Sequence, residues 1–249
     1  MNIGKGEITL QEFFNEFTRV MIENGRYKFI FDGLLNTFII TLGSLALGIV
    51  LGVIVAAIRT SYDKNYEALK AHGGFSYFIM TALNGISKLY LTVIRGTPVV
   101  VQLMIFYFVI FASADSGVAV AIFAFGINSG AYVAEIFRAG IMSIDDGQFE
   151  AGRSLGFNYF KTMMYIITPQ MFKAVLPTLC NEFIVLLKET SVAGYVGVTD
   201  LTKAGNVIAG RTFSYFIPLI TVAIIYLVVV VVLTWLVGKL ERRLRKSER

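Results

Sequence analysis

The chain has 249 residues, of which 56% are hydrophobic and only 16% charged, a balance that excludes an ordinary soluble domain. Its net charge of +5, in a chain this apolar, points to cytoplasmic loops facing anionic lipid and excludes a nucleic-acid role. A single cysteine, Cys180, rules out an intrachain disulfide and a cysteine-rich metal centre.

Residues 1–33 alternate charge with aromatic and aliphatic positions, among them Phe13, Phe14, Phe17, Val20 and Met21. They read as an amphipathic, extracytoplasmic segment on the membrane surface. Residues 1–30 hold Glu7, Glu12, Glu16 and Glu23 and no apolar leader region, so the first span is expected to act as its own targeting signal. The apolar runs that follow place a membrane domain over residues 34–238. Its crossings are expected near 34–58, 84–111, 118–141, 175–198 and 217–237, which makes the chain an all-α membrane protein.

The first run, Leu34 to Ile58, has no charge and exceeds the roughly 20 residues that hydrocarbon requires. Ser44, Gly48 and Gly52 fall on one face, where small residues let a second helix approach closely. Arg59 to Gly74 reads as a polar connection. The second crossing is expected as one long helix, about Asn84 to Phe111, kinked where Pro98 removes a backbone donor. Arg95 is then expected near the cytoplasmic end, its side chain snorkelling to the interface. A separate hairpin starting at Phe75 is the competing division. In the third run Gly126, Asn128, Ser129 and Gly130 are small or polar at mid-span, so this face should pack on protein or line a cavity, with Tyr132 beside it. Glu135 and Arg138 are spaced to pair.

Residues 142–173 form the one long polar-rich interval with a specific internal order. Ser143 and Asp146 stand at capping-box spacing for a helix starting near Gly147, and Gly156 is placed as its left-handed C-cap. Asn158 can cap a second short helix running toward Pro169. The expected shape is helix–Gly–helix, two short rods projecting from the bilayer. The fourth crossing, Val175 to Val198, carries Pro177, Asn181, Glu182, Lys188 and Glu189, too many polar groups to face lipid. Glu182 can be interfacial, whereas Lys188, Glu189, Thr190 and Ser191 read as a central cluster of both signs, suited to a zwitterion. Self-pairing of Lys188 with a nearby carboxylate is the alternative. Thr199 to Ser214 reads as a polar connection, Ile217 to Val237 as the final span with Trp235 near its end, and residues 239–249 as a basic cytoplasmic tail. The positive-inside rule then puts the 142–173 loop and the tail on the cytoplasmic side.

The polar loop reads Glu150-Ala151-Gly152, three residues, Gly156, nine residues, Ile166, one residue, Thr168-Pro169. This resembles the "EAA" loop of ABC importer permeases, with Gly152 in place of the third Ala and Thr168 in place of Leu. Gly152 weakens the first helix by roughly 1 kcal/mol relative to Ala. The stretches IRGTPVVVQLMIFYF, Asn128 to Tyr132, Glu135 to Gly140 and Lys188-Glu189-Thr190-Ser191 resemble permeases of the polar-amino-acid uptake family, the histidine, glutamine and arginine type. That resemblance implies a type I importer permease fold in the plasma membrane, with a cytoplasmic coupling loop. It also implies a dimer of ABC ATPase subunits, a second permease half (identical or different) and an extracytoplasmic amino-acid-binding protein. Glu150, Ala151, Gly152 and Gly156 are the expected contacts and elbow of the coupling loop. Asn128, Tyr132, Asn181, Lys188, Glu189, Thr190 and Ser191 are the expected pathway residues.

No Gly-x4-Gly-Lys-Ser/Thr phosphate loop occurs, so ATP and magnesium are expected on a partner subunit, with no cofactor, metal site or catalytic residue in this chain. The alternative is a secondary amino acid transporter driven by an ion gradient, against which stand a single histidine and no visible inverted repeat.

Overall fold

The computed structural model describes residues 10–246; residues 1–9 of the N-terminal segment and 247–249 of the basic tail lie outside the described residues. Ten α-helices occur among them. They are α1 (Leu10–Phe17), α2 (Tyr27–His72), α3 (Gly74–Gly96), α4 (Val99–Ile105), α5 (Gly117–Met142), α6 (Asp146–Ser154), α7 (Tyr159–Thr162), α8 (Thr168–Glu189), α9 (Leu201–Thr212) and α10 (Phe216–Lys246). Among the described residues five segments are long and apolar enough to cross a membrane: Tyr27–Glu67, Gly74–Gly96, Gly117–Met142, Tyr159–Val196 and Phe216–Leu244.

The α2–α5 pair is the spine of the fold. Gly43, Gly48 and Gly52 of α2 meet Ile122, Ser129 and Val133 of α5 in step, so the two helices run parallel. A Cβ on Gly52 would stand 2.5 Å from Val133 Cγ1 and 2.9 Å from the Ala134 backbone nitrogen, which only glycine permits. Ser44, fully buried, donates to the Ile122 carbonyl at 3.1 Å. The small-residue face expected from the sequence is therefore a close packing surface against α5, as suits a setting where lipid offers no hydrophobic drive for association.

Four expected divisions are corrected. Arg59 to Gly74 is not a connection: α2 runs 46 residues without a breaker until Gly73 and Gly74, both at positive φ. At 1.5 Å per residue that is roughly 69 Å, more than twice the hydrocarbon thickness of about 30 Å. The second crossing is not one kinked helix over 84–111. It starts at Gly74 and is interrupted at Thr97 (φ −123°, ψ 145°) and Pro98 (φ −63°, ψ 135°), both extended. Proline disfavours helical ψ at the preceding residue, and at Thr97, which is extended, the helix ends. α4 and a π-helical turn, Phe106–Ile110, then complete the passage. The arm after Asn158 is not a short rod: α7 continues through a wider π turn, Met163–Ile167, into α8. That turn lies just ahead of Pro169, where it absorbs the missing proline donor. Last, Thr199 to Ser214 is not a plain connection but holds α9, whose Leu201, Ala204, Ile208 and Ala209 are fully buried against α2 and α10. Asp200 caps it, accepting from Thr202 N at 2.8 Å and Lys203 N at 3.2 Å. Burial pushes this carboxyl above its ordinary range, and those amides oppose the shift.

The rest of the surface suits lipid. Leu227, Val228, Val231 and Val232 of α10 are each at least half exposed, a continuous apolar stripe with no polar face to hide.

Candidate functional site

The elbow is built by local rules. Asp145 caps α6, its Oδ1 accepting from Gly147 N at 2.7 Å, one residue from the Ser143/Asp146 box expected. At the other end Phe157 N donates to Gly152 O (3.0 Å) and Gly156 N to Arg153 O (2.9 Å), with Gly156 at φ +79°. This is the Schellman closure, which needs a residue at positive φ. Asn158 Oδ1 accepts from Lys161 N at 2.9 Å and starts α7.

Two faces of α6 do different jobs. Phe149 and Gly152 are buried, and Phe149 packs with Ile141, Ile167, Met171 and Val175, joining α6 to the core between α5 and α8. Glu150, Ala151, Arg153 and Gly156 are exposed, and Leu155 stands 71% exposed at the tip. Gly152 does not belong to the outward surface, which corrects its expected role in the contact with a partner. The close approach it allows is internal, against Thr162.

The overlong α2 reaches the same place. Lys64 Nζ pairs with Asp146 Oδ1 and lies 4.6 Å from the centre of the Phe149 ring. A cleft of about 350 Å³ lies between this end of α2 and the elbow, with Glu150 and Arg153 on its wall. Asp146 is 78% exposed, so the ion pair contributes little by itself, about 0.5 kcal/mol, and the cation–π contact about as much again. Lys64→Asp is expected to lower thermal stability by a few degrees in detergent, and Asp146→Lys in the same chain to recover more than half of the loss. Recovery of less than that would show that Lys64 acts by packing and not by charge.

Further into the bundle a polar seam follows the broken helix. Gln102 Nε2 donates toward the carbonyls of Ile94 (2.7 Å) and Thr97 (3.1 Å) and the Thr97 hydroxyl (2.7 Å), so a side chain covers the open end of α3. Its Oε1 accepts from Asn128 Nδ2 at 3.0 Å. Ser129 donates to Glu182 Oε1 at 3.0 Å. Arg95, in the last turn of α3, sits 5.4 Å over the Tyr132 ring, opposite the middle of α5 and not near its cytoplasmic end, the snorkelling position expected from the sequence. Glu135 faces both Arg59 (3.9 Å) and Arg138 (3.3 Å). A cavity of about 550 Å³ opens among Arg95, Tyr132, Glu135, Thr178 and Glu182.

The seven expected pathway residues do not converge. Asn128 is buried against Gln102, and Tyr132 lines the cavity beneath Arg95. Asn181 faces a separate cleft with Gln170, Lys173 and Pro177, at the elbow end. Lys188 is exposed, Glu189 half-buried, and Thr190 donates to Leu187 O (2.8 Å) within its own helix. Ser191 lines a shallow depression with Tyr195 and Thr202. α8 ends at Glu189 and a 3₁₀ turn, Thr190–Val196, fans these four side chains in different directions. Arg95, Gln102, Glu135 and Glu182 were missed as site residues. Their signal was charge or amide inside apolar runs, visible but without a partner until the helices are assembled.

Residues 73–246 match the family model described as binding-protein-dependent transport system inner membrane component. The chain is 36% identical over 224 residues to the arginine transport system permease protein ArtQ of Bacillus subtilis (strain 168), covering 88% of this chain and 94% of that one. It is 34% identical over 220 residues to the glutamine transport system permease protein GlnP of Escherichia coli (strain K12), covering 87% and 93%. Among solved structures, a chain of an amino acid ABC transporter crystallised with histidines superposes with a TM-score of 0.75 at 33% identity, over 96% of this chain and 100% of that one. A chain of the inward-facing MetNI methionine ABC transporter shares the fold, with a TM-score of 0.70 at 16% identity.

Proposed function

The chain belongs to the binding-protein-dependent transport system inner membrane component family, and from that premise we propose that α6 is the handle by which ATP hydrolysis elsewhere drives passage of a polar amino acid along its polar seam. It is a multi-pass inner-membrane permease subunit of an ABC importer. Arginine, glutamine and histidine in the names of its relatives support a polar amino acid as cargo. These relatives do not favour an ion-gradient mechanism. Partner subunits that bind ATP and magnesium, a second permease half and a solute-binding protein complete the machine in this reading.

The observation that carries the reading is the two-faced α6. Its Phe149 side is fixed in the core between α5 and α8, while Glu150, Ala151 and Leu155 project with nothing among the described residues to cover them. An ATPase subunit gripping that outward face would move α5 and α8 as one, and these helices carry Asn128, Tyr132, Glu135 and Glu182. Closure of two such subunits would shift the bundle between two packings with access to opposite sides. Glu150 makes the polar contact and Gly156 fixes the angle of the grip.

Glu150→Lys reverses a charge in the contact, which costs several kcal/mol when like charges meet. ATP-driven uptake in proteoliposomes and substrate-stimulated ATPase activity are expected to fall at least tenfold. Wild-type levels of both would refute the handle.

A further inference from the structure

The groove between α2, α3 and α5 holds a charge imbalance that neither packing nor coupling uses. Arg59, Lys88 and Arg95 line a cleft of about 480 Å³ with a single carboxylate, Glu135. That carboxylate is already shared between Arg59 and Arg138. The Arg59 Nε is buried without a hydrogen-bond partner among the described residues, a cost that an occupant with acceptor oxygens would relieve. Lys88 and Arg95 are seven residues apart on one face of α3, two turns along the passage, with Thr92 between them. We propose that this groove is an anion subsite that takes the α-carboxylate of the transported amino acid as it moves from the middle of the bundle toward the elbow end. The inference deepens the transport reading and rests on it.

Orientation decides between a carboxylate in the path and a phosphate on a lipid. Ile86 and Leu89, each 64% exposed, and Val93, 49% exposed, form the apolar face of α3. Lys88, Thr92 and Arg95 lie on a different side of the helix, turned toward Glu135 of α5. A lipid headgroup would have to leave that apolar face to reach them. Arg95 also borders the cavity at Tyr132 and Glu182, so the cation-lined groove is continuous with the seam. Guanidinium and ammonium groups bind carboxylates through charge-assisted hydrogen bonds.

The test uses the complex of this chain with its ATPase subunits in phosphatidylcholine nanodiscs, without binding protein. Equilibrium binding of the twenty standard L-amino acids identifies the one held best, and its α-carboxamide is then compared with it. The acid is expected to bind at least tenfold more tightly than the amide. Arg95→Gln and Lys88→Gln are each expected to shrink that ratio toward one, and Arg95→Lys to keep most of it. Binding of no amino acid, a ratio near one in the wild type, or an unchanged ratio in both glutamine variants overturns the proposal. So does retention of phosphatidylglycerol by the wild type and its loss from the variants with the ratio unmoved, which makes the groove a lipid site. If a glutamine variant fails to assemble, the wild-type ratio and Arg95→Lys still decide. The transport reading fails separately, if the wild-type chain neither copurifies with the ATPase subunits nor accumulates an amino acid with ATP.

Discussion

Gln102→Leu is expected to unseat the broken helix, lowering the stability of the chain by about 2–3 kcal/mol and ATP-driven uptake at least tenfold. Interhelical hydrogen bonds in membranes average only about 0.6 kcal/mol in double-mutant cycles, so one lost bond would not suffice. Here a single amide, 6% exposed, serves Ile94 O, both oxygens of Thr97 and the Asn128 amide. Leucine fills the volume and satisfies none of them; Thr97 is exposed, so the penalty falls on the Asn128 amide and the Ile94 carbonyl, at about 1–3 kcal/mol for a buried group left unmatched. Non-helical backbone at membrane depth persists only where protein supplies its partners, and at Thr97-Pro98 that supply is Gln102. Adding Asn128→Leu removes one orphan and leaves the carbonyls of α3 bare, so the double variant should recover less than half of the loss. Thermal unfolding of the purified chain reads both effects. A midpoint for Gln102→Leu within a degree of wild type would remove the basis for assigning the seam a structural role.

Much of this arrangement was legible in the sequence where chemistry is local. Gly156 had to be a left-handed cap and Asn158 an N-cap, because each satisfies backbone groups within a few residues. Ser44, Gly48 and Gly52 announced a close helix partner through spacing alone. What failed was anything set by distance along the chain or by an assembled environment. α2 looked finished at Arg59 because an apolar window stops at the first charge, whereas a helix stops where backbone geometry changes, at Gly73. α9 looked like a loop because Thr202, Lys203, Asn206 and Arg211 dominate its composition, although its other side is fully buried. Lys188 through Ser191 read as one cluster because they are adjacent, but a helix end scatters adjacent side chains. The pairs that make the seam, Gln102 with Asn128 and Ser129 with Glu182, lie far apart in the chain and meet only through packing.

The elbow gives the sharpest contradiction between local propensity and packing, at Gly152. By helix propensity alone Gly152→Ala, which restores the third residue of the Glu-Ala-Ala pattern, should stabilise α6 by about 1 kcal/mol. In place, the added Cβ would stand 2.6 Å from Thr162 Cγ2 and 2.7 Å from its Oγ1. Overpacking of this kind costs about 1–3 kcal/mol and is relieved only by moving α6 away from α7. Such movement pulls Phe149 from the core and strains the Gly152 O to Phe157 N bond that closes the elbow. Gly152→Ala is therefore expected to lower the unfolding temperature and to reduce substrate-stimulated ATPase activity at least tenfold. Thr162→Ala in the same chain removes both clashing atoms and leaves Ile166 Cδ1, a movable end, as the next neighbour at 3.2 Å. The Thr162 hydroxyl has no hydrogen-bond partner among the described residues, so its removal forfeits no bond there. With Thr162→Ala present, the sign of Gly152→Ala should reverse, and the helix-propensity gain should reappear as a raised unfolding temperature. A stabilising Gly152→Ala beside an intact Thr162 would mean that the elbow is loose. A loose elbow could not carry force from an ATPase into α5 and α8.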